Sequence, residues 1–235
     1  MSAGPLALNH LNVGVTAGIG ILCLGVAAAQ SPVREPIAAR GAVIAAQGAA
    51  GGAPACAQCH AYNGASDGSG AFPRLAGQSA SYLAKELRDY ASGVRTNAVM
   101  TPIAKGLSPD DTADVAAYYA NVNAPYLPLA SPDPLLIKRG EQLATNGDAA
   151  MELQSCNNCH GPGGAGELPA IPYLAGQYAH YIAFQLTMWQ RGFRNNSPDA
   201  MADIAKRLGA QDIAAVAAYY QQVDASALAA TQPAK

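Results

Sequence analysis

The chain has 235 residues, a length that suits one large or two small domains. Half of the residues are hydrophobic but only 6% are aromatic, so large core side chains are scarce, and small domains of this kind usually need a disulfide, a metal or a bulky prosthetic group. The net charge is −2, from 14 basic and 16 acidic residues, and no basic stripe is visible, which argues against a nucleic-acid partner.

The N-terminal part of the chain is unlike the rest. Residues 11–29 carry no charge and end in small residues that suit cleavage before Gln30. This pattern predicts an export signal over residues 1–30, and therefore a mature protein outside the cytoplasm. The segment before it contains no Lys or Arg, which is unusual for an export signal. Membrane association through an uncleaved anchor formed by residues 11–29 is therefore the alternative.

Two copies of one sequence unit follow this leader. The motif CAQCH at 56–60 recurs as CNNCH at 156–160, and the segment 73–97 matches 172–196, at an offset that stays between 99 and 101. A long unit that occurs twice indicates a duplicated domain rather than a short-period solenoid. The sequence predicts a first domain over 31–125, a proline-rich linker over 126–134, a second domain over 135–225 and a flexible tail over 226–235.

Both copies have the pattern of helical proteins. We expect a short helix before each CxxCH motif, and apolar residues at helical spacing predict helices over 79–92 and 178–190. The sequence SPDD at 108–111 predicts the start of the last helix of the first copy, because it combines an N-cap hydroxyl, an early proline and acids in the first turn. The equivalent helix of the second copy begins near residue 209 with weaker capping. The predicted fold class is all-α.

Three kinds of site could use the two CxxCH motifs. One zinc site of four thiolates fits poorly, because 97 residues separate Cys59 from Cys156 and each pair lies in its own copy. A redox dithiol would be expected near a βαβ pattern, which is missing. Covalent haem attachment alone explains a histidine after the second cysteine in both copies, since that histidine ligates the iron. The sequence predicts two covalent haem c groups, one held by Cys56, Cys59 and His60 and the other by Cys156, Cys159 and His160.

The sixth iron ligand decides between an electron carrier and an enzyme with an open iron. Met100 and Met201 come 40 and 41 residues after the motif histidines and begin the matching segments MTPIAKGL and MADIAKRL. Ordinary packing of both methionines is the alternative, but it does not explain why the repeat keeps Met at this position. We therefore expect both to be axial ligands. Met188 is expected to pack beside Trp189, because its counterpart in the first copy is Asp89.

Other matched positions suggest roles near the haems. Pro73 and Pro172 precede the LAG segments, and their carbonyls could accept from the N–H of the iron-ligating imidazole. A simple turn before a helix is the alternative for both prolines. Arg74 is a candidate partner for a haem propionate. His180, whose counterpart is Ser81, is a weakly supported alternative ligand for the second iron.

Together these features resemble the dihaem cytochrome c4 family over about residues 37–224. The resemblance rests on the two CxxCH motifs, the paired LAGQ segments, MTPIAKGLSPDD with MADIAKRL, and the paired AAYY helices. It implies two class-I-like cytochrome c domains packed about a pseudo-twofold axis. By position, it also implies the iron ligands, which would be His60 with Met100 and His160 with Met201.

The resemblance further implies an electron-transfer protein rather than an enzyme. Its expected place is the periplasm, either soluble or anchored to the outer face of the inner membrane. Its redox partners would be a quinol-oxidising complex or dehydrogenase upstream and a terminal oxidase downstream. A dihaem subunit of a dehydrogenase complex, for example one with a sulfide-oxidising flavoprotein, is the alternative. A dihaem enzyme needs an open or thiolate-ligated iron, and the two matched methionines argue against it.

Overall fold

The computed structural model describes residues 34–125, 132–197 and 199–224, together with Met1 and Gly4. The described residues from Arg34 onward belong to one compact unit.

Three of the sequence predictions fall largely on residues outside this description. They are the export signal or anchor within 1–30, most of the linker 126–134, and the tail 226–235. Within the described ranges, no helix combines the length and the apolar character needed to cross a bilayer.

The two copies fold into the same series of helices, which confirms the all-α prediction. The helices of the first copy are α1 (Ala38–Gln47), α2 (Ala57–His60), α3 (Ala80–Ser92), α4 (Met100–Lys105) and α5 (Pro109–Asn121). Those of the second copy are α6 (Pro134–Thr145), α7 (Asn157–His160), α8 (Ala179–Gln190), α9 (Met201–Arg207) and α10 (Ala210–Gln222). Short 3-10 helices occupy Ala149–Met151 and Pro162–Gly164, and no strand longer than an isolated bridge occurs in the described residues.

The first and last helices of each copy cross at a glycine. In the first copy Gly41 lies against the carbonyl of Asp114, and in the second Gly140 lies against the carbonyl of Ala215. A Cβ atom added to either glycine would stand 2.0 Å from that carbonyl oxygen. The two helix backbones therefore approach too closely for any side chain at these positions. This crossing brings the first and last helices of each copy together.

Both cores are built from few large side chains, as the composition suggests. The core of the first copy is centred on Ile44, Val115 and Tyr119. The larger core of the second copy includes Leu186 and Tyr220. The two tyrosines are equivalent members of the AAYY pairs, and both are almost completely buried. The second tyrosine of each pair therefore packs inside its own domain.

The start of α6 differs slightly from the predicted linker. Pro134, predicted as the last linker residue, is the first residue of this helix. The carboxylate of Asp133 accepts a hydrogen bond of 2.8 Å from the amide of Leu135 and caps the helix. Proline is tolerated at the first helical position because its missing N–H would have no partner within the helix there.

The capping box predicted at the start of α5 is present. Ser108 Oγ accepts from the amide of Asp111 at 3.1 Å, and the Asp111 carboxylate accepts from the amide of Ser108 at 3.3 Å. At the equivalent place in the second copy, the N-cap of α10 is Gly209, which makes no side-chain cap bond. Only the first copy therefore has a reciprocal cap.

We expect Ser108→Ala to lower the free energy of unfolding by about 1 kcal/mol, because the orphan amide loses its acceptor. Urea unfolding of the holoprotein measures this change. The reciprocal control is Gly209→Ser, which offers the missing hydroxyl and should raise stability by a few tenths of a kcal/mol. Equal effects of both substitutions would contradict a role for the cap.

The two copies pack on each other through matched contacts. Gln78 of the first copy accepts from the amide of Tyr173 at 3.3 Å and donates to the Tyr173 carbonyl at 3.0 Å. Gln177 of the second copy accepts from the amide of Arg74 at 2.9 Å and donates to the Arg74 carbonyl at 2.9 Å. Each glutamine thus pairs with the backbone of the other domain, which is the pattern of a pseudo-twofold interface.

Candidate haem-binding sites

The first CxxCH motif forms a single helical turn. In α2 the amide of His60 donates to the carbonyl of Cys56 at 2.9 Å, and the amide of Cys59 donates to the same oxygen at 3.2 Å. No disulfide joins Cys56 and Cys59. The turn therefore combines two unbridged cysteines with a buried imidazole, which is the donor set that covalent haem attachment requires.

The second motif repeats this turn. In α7 the amide of His160 donates to the carbonyl of Cys156 at 2.9 Å, and no disulfide joins Cys156 and Cys159. The hydroxyl of the buried Tyr220 donates to Asn157 Oδ1 at 2.9 Å and ties α10 to the motif. The structure thus brings cysteines and histidine together in both copies, as the sequence predicts.

Each motif histidine is oriented by a proline carbonyl. His60 Nδ1 lies 3.1 Å from the carbonyl oxygen of Pro73, and His160 Nδ1 lies 2.8 Å from that of Pro172. A carbonyl can only accept, so Nδ1 must be the protonated nitrogen and Nε2 keeps its lone pair for a metal. These bonds confirm the prediction for both prolines.

The surroundings of the histidines favour the form that binds iron. Burial lowers the pKa of His60 and of His160 below the usual value, and the bonds to Pro73 and Pro172 act in the opposite direction. Both imidazoles are therefore neutral at pH 7, which is the protonation state that a metal needs.

Met100 and Met201 take the same place in the two copies. They are the first residues of α4 and α9, and both are half-buried. The side chain of Asn97 accepts from the amide of Met100 at 2.9 Å, and the hydroxyl of Ser197 accepts from the amide of Met201 at 3.4 Å. Met201 packs against the core of the second copy, as does Cys156. A polar side chain in the preceding loop thus holds each methionine backbone.

Two other residues that the sequence suggested near the haems make contacts elsewhere in the structure. His180 is exposed and its Nδ1 lies 3.1 Å from the carbonyl of Ser69 in the other domain, so it is placed as an interdomain contact rather than as an iron ligand. Arg74 donates to the carbonyl of Ala124 at 2.5 Å and to that of Pro125 at 3.1 Å, where the first domain ends. These bonds tie Arg74 to the end of the first domain, and its contact with a haem propionate stays a prediction.

The sequence predicts Met188 as a packing residue, and the structure shows which surface it lines. It is half-buried and lines an open groove of about 560 Å³ with Phe193 and with residues of the first copy, namely Thr96, Asn97, Ala98, Thr101 and Pro102. Since its position on α8 faces the other domain, sequence periodicity within one copy does not predict this location.

One buried donor supports the fit of a haem group. Trp189 Nε1 is buried and has no hydrogen-bond partner among the described residues. The guanidinium of Arg194 lies 3.8 Å above the centre of the same indole ring. An unsatisfied buried N–H is costly, so this region suits a group that supplies an acceptor. Haem carries two propionates, and together with the CxxCH cysteines and neutral imidazoles this makes the residues present a good fit for haem c.

The sequence analysis missed a charged cluster between the two domains. It contains Glu86 and two arginines, Arg95 and Arg194, all buried. A signal was available, because the arginines align in the matched segments GVRTN and GFRNN. An arginine kept at one position of both copies, in an otherwise divergent stretch, indicates a shared contact.

Comparison with known proteins agrees with this architecture. Residues 38–123 match the family described as cytochrome c, and residues 142–219 match the family described as cytochrome c oxidase, cbb3-type, subunit III. Cytochrome c4 of Pseudomonas aeruginosa is 41% identical over 172 residues, which cover 72% of this chain and 84% of that protein. The thiosulfate dehydrogenase electron acceptor of Stutzerimonas stutzeri is 39% identical over 188 residues, covering 79% and 87%.

Two solved structures share the fold. Reduced cytochrome c4 from Pseudomonas stutzeri has a TM-score of 0.70 at 33% identity, with 80% of this chain and 100% of that chain covered. Thiosulfate dehydrogenase TsdBA from Marichromatium purpuratum has a TM-score of 0.74 at 38% identity, with 80% of this chain but only 41% of that longer chain covered. With two CxxCH sites on matched helical domains and these relatives along most of its length, the chain belongs to the cytochrome c4 family of electron-transfer proteins and carries two covalent haem c groups.

Proposed function

We propose that this protein carries single electrons in the periplasm, from a quinol-oxidising complex or a dehydrogenase to a terminal oxidase. The observation that supports this most is the repetition of one complete donor set, with a buried neutral imidazole held by a proline carbonyl in each domain. Two equivalent sites in one compact unit suit the passage of an electron from one site to the other.

We assign the axial iron ligands as His60 with Met100 and His160 with Met201. Haem c, when bound, supplies an iron that changes its oxidation state by one electron. The residues of the chain do the rest of the work. The cysteines would hold the group covalently, and the Met100 and Met201 thioethers would keep other ligands from the iron. The proline carbonyls keep each imidazole in one tautomer and orientation.

The physiological donor has a second candidate. Relatives of this chain are named as electron acceptors of thiosulfate dehydrogenase, in Stutzerimonas stutzeri and, at 37% identity, in Thiomonas intermedia. By this likeness the protein would take electrons directly from a dehydrogenase that oxidises a reduced sulfur compound. It would then be a partner subunit of a redox enzyme while remaining itself an electron carrier.

The proposed function is tested on the purified holoprotein. Its intact mass should equal the chain plus two haems, and the mass also tells whether residues 1–29 are retained. The reduced protein should be unchanged by carbon monoxide and should be reoxidised by membranes that contain a terminal oxidase. Carbon monoxide binding to the unmodified protein would mean an open iron and would overturn the carrier function. Reduction by thiosulfate dehydrogenase with thiosulfate, compared with reduction by a quinol-oxidising complex, distinguishes the two donors.

A further inference from the structure

Four polar side chains meet in the interface between the domains. Glu86 of α3 and Gln185 of α8 are equivalent positions, as are Arg95 and Arg194, and all four are buried. We call these residues the interdomain cluster. Arg95 is only 3% exposed and Arg194 only 4%, so neither guanidinium has much access to water. Their charges must therefore be balanced within the protein.

Both arginines share the same two acceptors. Glu86 Oε2 accepts from Arg95 at 2.5 Å and from Arg194 at 3.1 Å. Gln185 Oε1 accepts from Arg95 at 2.6 Å and from Arg194 at 2.9 Å. The carboxylate of one domain and the carboxamide of the other thus play the same geometric role, each between the two guanidiniums.

The surrounding contacts repeat the same symmetry. The Arg95 guanidinium lies 4.4 Å from the ring centre of Tyr90 and donates to the hydroxyl of Tyr181 at 2.9 Å. The Arg194 guanidinium stacks on Trp189, at the position equivalent to Tyr90. It donates to the hydroxyl of Tyr82 at 3.1 Å, at the position equivalent to Tyr181.

The charge breaks this symmetry. Within the described residues, Glu86 is the carboxylate that forms ion pairs with Arg95 and Arg194, so two buried positive charges share one negative charge. Lys85, whose side chain is 32% exposed, pairs with the nearby Asp89 at 2.5 Å and also lies 3.6 Å from Glu86 Oε1. Removing one partner of a buried ion pair is strongly destabilising, because the charge that remains is left uncompensated. Replacing Glu86 should therefore lower stability more than replacing its neutral counterpart, Gln185.

The cluster is continuous with the segments that carry the proposed sixth ligands. Arg95 and Arg194 face each other in an antiparallel bridge. Asn97, two residues after Arg95, caps the amide of Met100. Arg194 donates to the side chain of Asn196 at 3.1 Å, and the next residue, Ser197, caps Met201. Movement of either arginine would thus be transmitted to a methionine segment.

We propose that Glu86 is a positioning residue for both haem sites, one carboxylate that holds the two methionine segments in register and sets the electrostatic potential of the two irons together. This inference rests on the ligand assignment under the proposed function. Glu86 lies in the first domain, but its carboxylate contacts one arginine of each domain. A buried charge acts over a longer range than an exposed one, since the surrounding protein screens it weakly.

The test is a charge exchange in the holoprotein. Glu86→Gln removes the buried negative charge. Loss of this charge stabilises the reduced state of each iron, so both reduction potentials should rise. Gln185→Glu adds a charge at the equivalent position, and both should fall. The double variant E86Q/Q185E keeps one negative charge in the cluster but places it in the second domain. Both potentials should then lie close to their native values. Glu152→Gln is the matched control, since Glu152 is 84% exposed in its side chain and should change neither potential.

The outcomes separate the proposal from a purely structural role. If Glu86 had only a structural role, Glu86→Gln would lower stability. It would not produce opposite shifts of the reduction potentials in the two single variants, nor their cancellation in the double variant. A shift confined to one haem, or shifts of the same sign in both single variants, would overturn the proposal. If Glu86→Gln does not fold, Gln185→Glu and the double variant carry the same test. The methionine–iron absorption band of the native protein reports separately on the ligand assignment, so failure of the two inferences can be told apart.

Discussion

Replacing Met100 with alanine is expected to open the first iron and leave the second closed, and Met201→Ala is expected to do the reverse. Alanine has no atom that can bind iron, so a small ligand gains access to the sixth position, and the haem loses the ligand that raises its potential. We expect each variant to bind one carbon monoxide per molecule where the native protein binds none. The reduction potential of the altered haem should fall, and about half of the methionine–iron absorption should disappear.

The control for this experiment is Met188→Ala. Met188 is also half-buried, but it lines the groove between the domains and does not begin a helix in a matched segment. Its removal should leave both the absorption spectrum and the potentials unchanged. If Met100→Ala left the spectrum of the first haem as it was, Met100 would be a packing residue and another group would have to supply the sixth ligand.

Substituting Gly41 or Gly140 with alanine should destabilise the protein by about 3 kcal/mol, or more where the helices cannot separate. Each new Cβ would stand 2.0 Å from a carbonyl oxygen of the facing helix, far inside van der Waals contact. This cost has the opposite sign to the usual effect, because Gly→Ala in a helix normally stabilises by about 1 kcal/mol. A loss of this size is a large fraction of the roughly 5–15 kcal/mol that a domain has.

Urea unfolding of the holoprotein, followed by far-ultraviolet circular dichroism and by haem absorption, measures this loss. Gly209→Ala is the control, because a Cβ at Gly209 meets no atom within 4 Å. It should lower stability by less than about 1 kcal/mol, because alanine is a poorer N-cap than glycine. Unchanged or increased stability in Gly41→Ala would mean that α1 and α5 lie farther apart than the structure places them.

Much of the site could be predicted because its chemistry is local in the chain. The spacing of two cysteines and a histidine places all three on one helical turn, whatever the remaining fold. The capping box at Ser108 is equally local, because its two hydrogen bonds join residues three positions apart. Duplication strengthened the predictions for the CxxCH motifs and for the two methionines, because both copies keep these residues at the same place.

The contacts that the sequence did not predict join distant parts of the chain. His180 contacts the other domain, and Arg74 donates to the end of the first. Met188 was expected to pack beside Trp189, and the structure adds that it lines the groove between the copies. In each case the position on its helix was compatible with several partners, and only the docking of the two domains selected one.

The sequence by itself determined the all-α class, the duplication and the CxxCH chemistry, because these depend on residue type, helical period and short spacing. Only the tertiary structure decided which residues of one domain meet those of the other. Glu86 and Arg194 are 108 positions apart, and no periodicity relates them. Their contact depends on how the facing surfaces of the two domains pack together. That packing is a property of the whole interface rather than of any single segment.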